Sequence, residues 1–293
     1  MDNATRTIVV NWTVSAVALL AVGPLAGLAA AAVRSPEGAA DTTALTSAAP
    51  VTGLVMAAVG LLLAGLLAVV AKPLAGVRMA LASAGMVLLW SARQFGRPEL
   101  IVRESATSGT MMKLAIEGAL AGAGVLAIAW FVTRSKPDWA SKSGHPDGSA
   151  KSDIKAIGLG AVVMVAVGGL VGMIVARSGL FGQDIAATIA AGIAGAAAAR
   201  TVAHNTPTWA LFLGGVVLAF AGPIVANVMA GGELRVVMYA GKMFPLAYLA
   251  PFDWAAGLLI GVPMGEAWAS SVVERHEHGH ADRSKVAAAG GGA

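Results

Sequence analysis

Runs of about 20 residues almost free of charge recur along this chain from residue 8 to residue 270, and no other feature constrains its fold as much. An apolar run of that length matches the hydrocarbon thickness of a bilayer crossed as α-helix. Of the 293 residues, 57% are hydrophobic and 12% are charged. A soluble domain carries roughly 25% charged residues, so too few polar side chains remain here to cover a water-facing surface. The same figures exclude a disordered chain, and no Gly-X-Y period suggests collagen. Backbone groups in lipid must be paired within the protein, which selects helices, and the alternation of a membrane β-barrel is absent. The expected fold class is all-α: a polytopic integral membrane bundle of about eight transmembrane helices.

The spans are expected near 8–33, 51–71, 74–92, 110–132, 154–176, 185–203, 208–228 and 252–270. Lys72-Pro73 and Asn205-Thr206-Pro207 supply turn chemistry between neighbouring spans. The stretch 135–153 is rich in Gly, Ser, Pro and Lys and reads as a cytoplasmic linker between two halves, 1–134 and 154–273. The last stretch, 274–293, is charged, then Gly/Ala-rich, and is expected to be disordered. Most of the 20 Lys and Arg fall on one side when both termini are placed in the cytoplasm. A bacterial-type inner or plasma membrane is the expected location.

The halves resemble each other in order. Ala21-Val22-Gly23-Pro24-Leu25-Ala26-Gly27 matches Ala166-Val167-Gly168-Gly169-Leu170-Val171-Gly172, and Arg34-Ser35 matches Arg177-Ser178. Pro73 then matches Pro207, Glu99-Leu100 matches Glu233-Leu234, and Gly118/Gly122 match Gly257/Gly261. This ordered recurrence predicts a parallel duplication of a four-helix unit. Four spans return a chain to its starting side, so the copies would share one orientation about a pseudo-twofold along the membrane normal. Connectors 93–108 and 231–250 mix charge with apolar residues and suit interfacial or re-entrant segments.

Charge inside hydrocarbon is expensive, which makes intramembrane ionisable residues candidates for function. Glu117 and Asp253 are the two acids in corresponding helices and are expected to bind an ion or proton between the repeats. Lys113 is four residues before Glu117, on the same helix face, where the two would pair. The alternative roles are a neutralised pair for Lys113 and Glu117, a helix cap for Asp253 and a snorkelling side chain for Arg78. Gly23, Gly27, Gly118, Gly122, Gly168, Gly172, Gly257 and Gly261 have the spacing that lets helix backbones approach closely.

The chain has no Cys, which excludes disulfides and thiolate metal sites. His276, His278 and His280 alternate near the C-terminus as weak metal candidates in a solvated tail. His204 alone lies near a membrane helix, so a bis-His haem lacks its second ligand. No cofactor is expected. The motifs of zinc proteases, Ser hydrolases and nucleotide-binding loops are missing, so an enzyme is not expected. The formal charge of +4 is scattered among apolar runs rather than gathered with aromatics, which argues against nucleic acid. The lipid bilayer is the expected partner, with a second copy or other membrane subunits beside it. Two functions fit: a small transporter or channel for an ion or small solute, and a non-catalytic scaffold or accessory subunit of a larger membrane complex.

Overall fold

The computed structural model describes residues 2–40, 42–134 and 154–290, with side chains in the last segment as far as Ser271. The expected linker 135–153 and the side chains of His276, His278 and His280 lie outside the described residues. No strand is present among them.

Helix α1 begins at Asn3–Val17, where Asp2 caps it by accepting the Thr5 N–H at 2.7 Å. It loosens into a π turn at Ala18–Val22 and resumes over Gly23–Ala31. Helix α2 covers Pro50–Gln94, α3 is the short Pro98–Glu104, and α4 is Ser108–Thr133. The second half opens with α5, again interrupted: Ile154–Val163, a π turn at Met164–Gly168, then Gly169–Val175. Helices α6 (Phe181–Val202), α7 (Thr208–Ala230) and the short α8 (Leu234–Tyr239) follow. A 3₁₀ turn at Pro245–Tyr248 leads into α9, Pro251–Gly290.

Six helical segments are long and apolar enough to cross a membrane, against the eight spans expected. Two physical differences account for the gap. The turn expected at Lys72-Pro73 is absent, and helix continues through both residues. It breaks at Gly76, where φ is 80° and ψ is 170°, a conformation that only Gly adopts without strain. The two arms then fold back on each other: Gly60 and Ser91, at nearly equal distances from Gly76, face one another with Ser91 Oγ 2.9 Å from the site of a Gly60 Cβ. The last expected span, 252–270, carries Asp253 and Glu266 and is not among the six. Helix α9 also runs on to Gly290, through the stretch expected to be disordered, whose Ala, Glu, Arg and Lys favour helix.

Large apolar side chains face outward over much of the bundle. Leu20, Trp12 and Val228 are each more than 70% exposed, as suits surfaces that sit in lipid. Inside, small residues set the packing. Gly23 and Gly27 lie against Trp90, and Gly118 and Gly122 against Ala219 and Val216 of α7. Gly168 and Gly172 meet Ala191 of α6, and Gly257 and Gly261 meet Thr188 and Ile189 there. Lipid removes the hydrophobic drive between helices, so close backbone approach and dispersion take its place.

The two connectors carry the short helices α3 and α8, which pack together. Ile101 and Val102 join Leu234, Met238, Met243 and Tyr248 in a small second core over the ends of α4 and α7. The connector between α1 and α2 tucks inward. Ser35, Thr42, Thr43, Ala44 and Ser47 within it are buried.

The opposite face is tied by an ion pair. Arg200 of α6 donates from Nε to Glu266 Oε1 of α9 at 2.8 Å, and Nη2 reaches the same oxygen. Arg200 also donates to the His204 carbonyl at 3.1 Å and to Thr208 Oγ1 at 3.2 Å, fastening the α6–α7 turn. Arg78 reaches Ser270 Oγ at 3.4 Å.

Candidate functional site

Helices α6 and α9 run parallel. A Cβ on Gly257 would meet Thr188, one on Gly261 would meet Gly192, and one on Gly265 would meet Ile193, so residue numbers climb together along both. Asp184 and Asp253 each lie one turn before the first of these contacts, in the first turn of their helices. Both are buried, Asp184 to 1% exposure and Asp253 to 3%. The small-residue seam brings the two helix starts together and with them the two carboxylates, which act on each other electrostatically.

Their bonding differs. Asp253 Oδ2 accepts the Ala250 N–H at 2.8 Å, reaching back to the residue that caps α9. Neither carboxylate oxygen of Asp184 has a hydrogen-bond partner, and the Trp254 Nε1 donor beside Asp253 is also buried without one. Most buried polar groups are paired, so an unpaired carboxylate marks a place of strain or function. The positive ends of two parallel helix dipoles offset part of its burial, by about 0.3–1 kcal/mol each.

Short helix α3 roofs this pair. Arg97 donates to the Gly179 carbonyl at 2.6 Å, which fixes its guanidinium between α3 and the α5–α6 turn, and its charge acts on both aspartates. Glu99 lies against Gly179 and takes a hydrogen bond from Arg103 at 2.7 Å. Arg103 in turn stacks over the Tyr239 ring, 5.7 Å from its centroid. Burial, reinforced by the charge of Glu99, raises the Tyr248 phenol above its ordinary value.

Glu117 is elsewhere. It is buried in α4, where its carboxylate accepts the backbone N–H groups of Ala44 at 3.2 Å and Leu45 at 3.0 Å. It therefore clasps the inward-turned connector. Lys113 is exposed on the same helix and forms no ion pair with Glu117 among the described residues. The structure thus brings together neither Lys113 with Glu117 nor Glu117 with Asp253. Asp253 finds Asp184, which sequence reading left out by starting the helix at Ile185. A signal was present: an acid flanked by Phe181 and Ile185 in an otherwise apolar stretch.

Among the described residues no group of three or more His, Asp or Glu is placed to hold a metal ion. The two aspartates are buried at the starts of two parallel helices, one held by a backbone donor and the other without a partner. No protein-family model, curated protein or solved structure matches the chain.

Proposed function

We propose that this membrane protein is a small transporter or channel in which the Asp184–Asp253 pair takes up and releases a proton. One observation carries this reading: both oxygens of a fully buried carboxylate lack partners beside a second buried carboxylate. A proton held between two such groups relieves their repulsion. A proton, unlike a hydrated metal ion, needs no cavity to reach such a pair. No enzymatic chemistry belongs to this reading.

The architecture that goes with it has eight spans, both termini cytoplasmic and two parallel four-helix repeats. The fold-back at Gly76 makes two arms of α2, each close to the ~20 residues a span needs, and α9 supplies the last crossing. Support for duplication comes from the shared order of elements, including a π turn followed by Gly23 or Gly169 in the first helix of each half. It comes also from an exchanged pair of crossings. Gly118 of α4 meets the Ala219 carbonyl of α7 at 2.6 Å from its Cβ site, and Gly85 of α2 meets the Ala256 carbonyl of α9 at 2.8 Å. The offset that carries Pro73 onto Pro207 carries Gly85 onto Ala219, and the one that carries Gly118 onto Gly257 carries Glu117 onto Ala256. Each half thereby lends its fourth helix to the third helix of the other.

A second reading, a scaffold subunit of a larger membrane complex, is favoured by the interior itself. The buried core is mostly Ala, Leu and Val, which offers little to line a watery path. Proton flux separates the two. Liposomes containing the full chain under a pH gradient should dissipate it, and Asp184→Asn or Asp253→Asn should remove at least about nine-tenths of the rate. Gradients that persist with well-folded protein would overturn transport of protons and leave the scaffold.

A further inference from the structure

A pocket of about 320 Å³ opens on the loop-rich face, away from the acid pair. Ligand sites typically enclose about 300–1,000 Å³, so this one suits a small molecule. Its polar lining includes Glu37, Thr42, Thr46, Glu104, Thr110 and Lys113. Charges of both signs therefore border one small space, with hydroxyls between them.

The wall formed by the α1–α2 connector is fixed before any ligand arrives. Glu117 holds its Ala44 and Leu45 amides from beneath. Thr46 Oγ1 accepts the Thr43 N–H at 2.9 Å and lies 3.0 Å from Thr42 Oγ1, while the Thr42 carbonyl accepts the Gly96 N–H at 2.6 Å. Thr110 is fixed likewise, its hydroxyl donating to the Ser105 carbonyl at 2.6 Å. Lys113, by contrast, is exposed and makes no hydrogen bond or ion pair among the described residues. The preformed polar wall avoids an ordering cost on binding, and the Lys113 ammonium gives up no ion pair to meet a ligand.

We propose that this pocket binds a small zwitterion carrying a carboxylate and an ammonium group, of amino-acid size. The ligand carboxylate pairs with the Lys113 ammonium, and the ligand ammonium faces the carboxylate of Glu37. Water occupies about 30 Å³ per molecule in the liquid, so the volume corresponds to roughly ten such units, close to the heavy-atom count of glutamine. Binding here stands apart from proton movement and is measured without any gradient.

The test is calorimetric titration of the full chain in detergent with L-serine and L-glutamine. Saturable heat is expected for at least one of them. Its methyl ester and its N-acetyl derivative, each missing one charge, should bind at least about tenfold more weakly, and so should the parent ligand to Lys113→Gln. Lys113→Arg, which keeps the charge, should stay within about threefold. Lys113→Gln is a surface change, and an unaltered melting curve for that variant keeps the comparison clean. Absence of saturable heat with both amino acids, equal binding of the derivatives, or full binding by Lys113→Gln would each overturn the proposal.

Discussion

Asp184 and Asp253 stand at the same level on two parallel helices, one turn ahead of the contact between Thr188 and Gly257. The Gly257 contact sets the helix separation, and that separation sets the meeting of the carboxylates. Chemistry at one end of the seam therefore depends on packing one turn further along it.

The two aspartates should respond oppositely to neutral substitution. Asp184→Asn removes the repulsion that arises when both buried carboxyls lose their protons, and should raise the melting temperature in alkaline solution. Asp253→Ala removes the acceptor for the Ala250 N–H and should cost about 1 kcal/mol. Thermal unfolding in detergent, read by circular dichroism, compares them. A lower melting temperature for Asp184→Asn would mean that its carboxylate has a stabilising partner.

Glu117→Gln turns one of two acceptor oxygens into a donor that faces an amide N–H. The clasp on Ala44 and Leu45 should fail, at a cost of roughly 1.5–3 kcal/mol for each charged hydrogen bond lost. Hydrogen exchange should then accelerate at residues 42–47 while the amides of α7 keep their protection. Unchanged exchange in the connector would show that its other hydrogen bonds suffice.

On the opposite face, Glu266→Ala leaves the Arg200 guanidinium, whose side chain is 19% exposed, without its carboxylate. Breaking a largely buried pair from one side costs about 3–5 kcal/mol. Arg200→Met combined with Glu266→Leu should recover much of that loss, because no unpaired charge remains. If the double variant unfolds as readily as Glu266→Ala, the carbonyls of the α6–α7 turn depend on Arg200 more than Glu266 does.

The raised Tyr248 phenol gives a pH dependence confined to alkali. Below about pH 10 the phenol is neutral in both folded and unfolded chains, and stability does not respond to it. As pH rises further the unfolded chain loses its proton first, so stability falls until the folded value is passed. The chain has two tyrosines, and Tyr239→Phe isolates this one. Its phenolate absorbance should rise at higher pH in the folded protein than in the denatured protein, and coincident curves would contradict the burial.

Legibility in the sequence varied with the range of the interaction. The apolar helical stretches were anticipated, though as eight spans where six are found, because lipid partitioning is decided within a window of about 20 residues. The turn between the arms of α2 was misplaced by a few residues, since Pro73 is the stronger sequence signal but Gly76 alone adopts the left-handed backbone. The inward connector went unseen: its Thr and Ser residues look like any solvated loop until Glu117, 72 residues beyond Leu45, accepts its amides.

By itself the sequence determined that the chain is helical, lies in lipid and packs through small residues, since each follows from local hydrophobicity and side-chain size. Only the tertiary structure decided which acids meet. Asp253 faces Asp184 rather than Glu117 because the glycine seam brings α6 and α9 into parallel contact. Register between distant helices depends on summed contacts along their whole length, and a carboxylate carries no mark of the partner that those contacts will deliver.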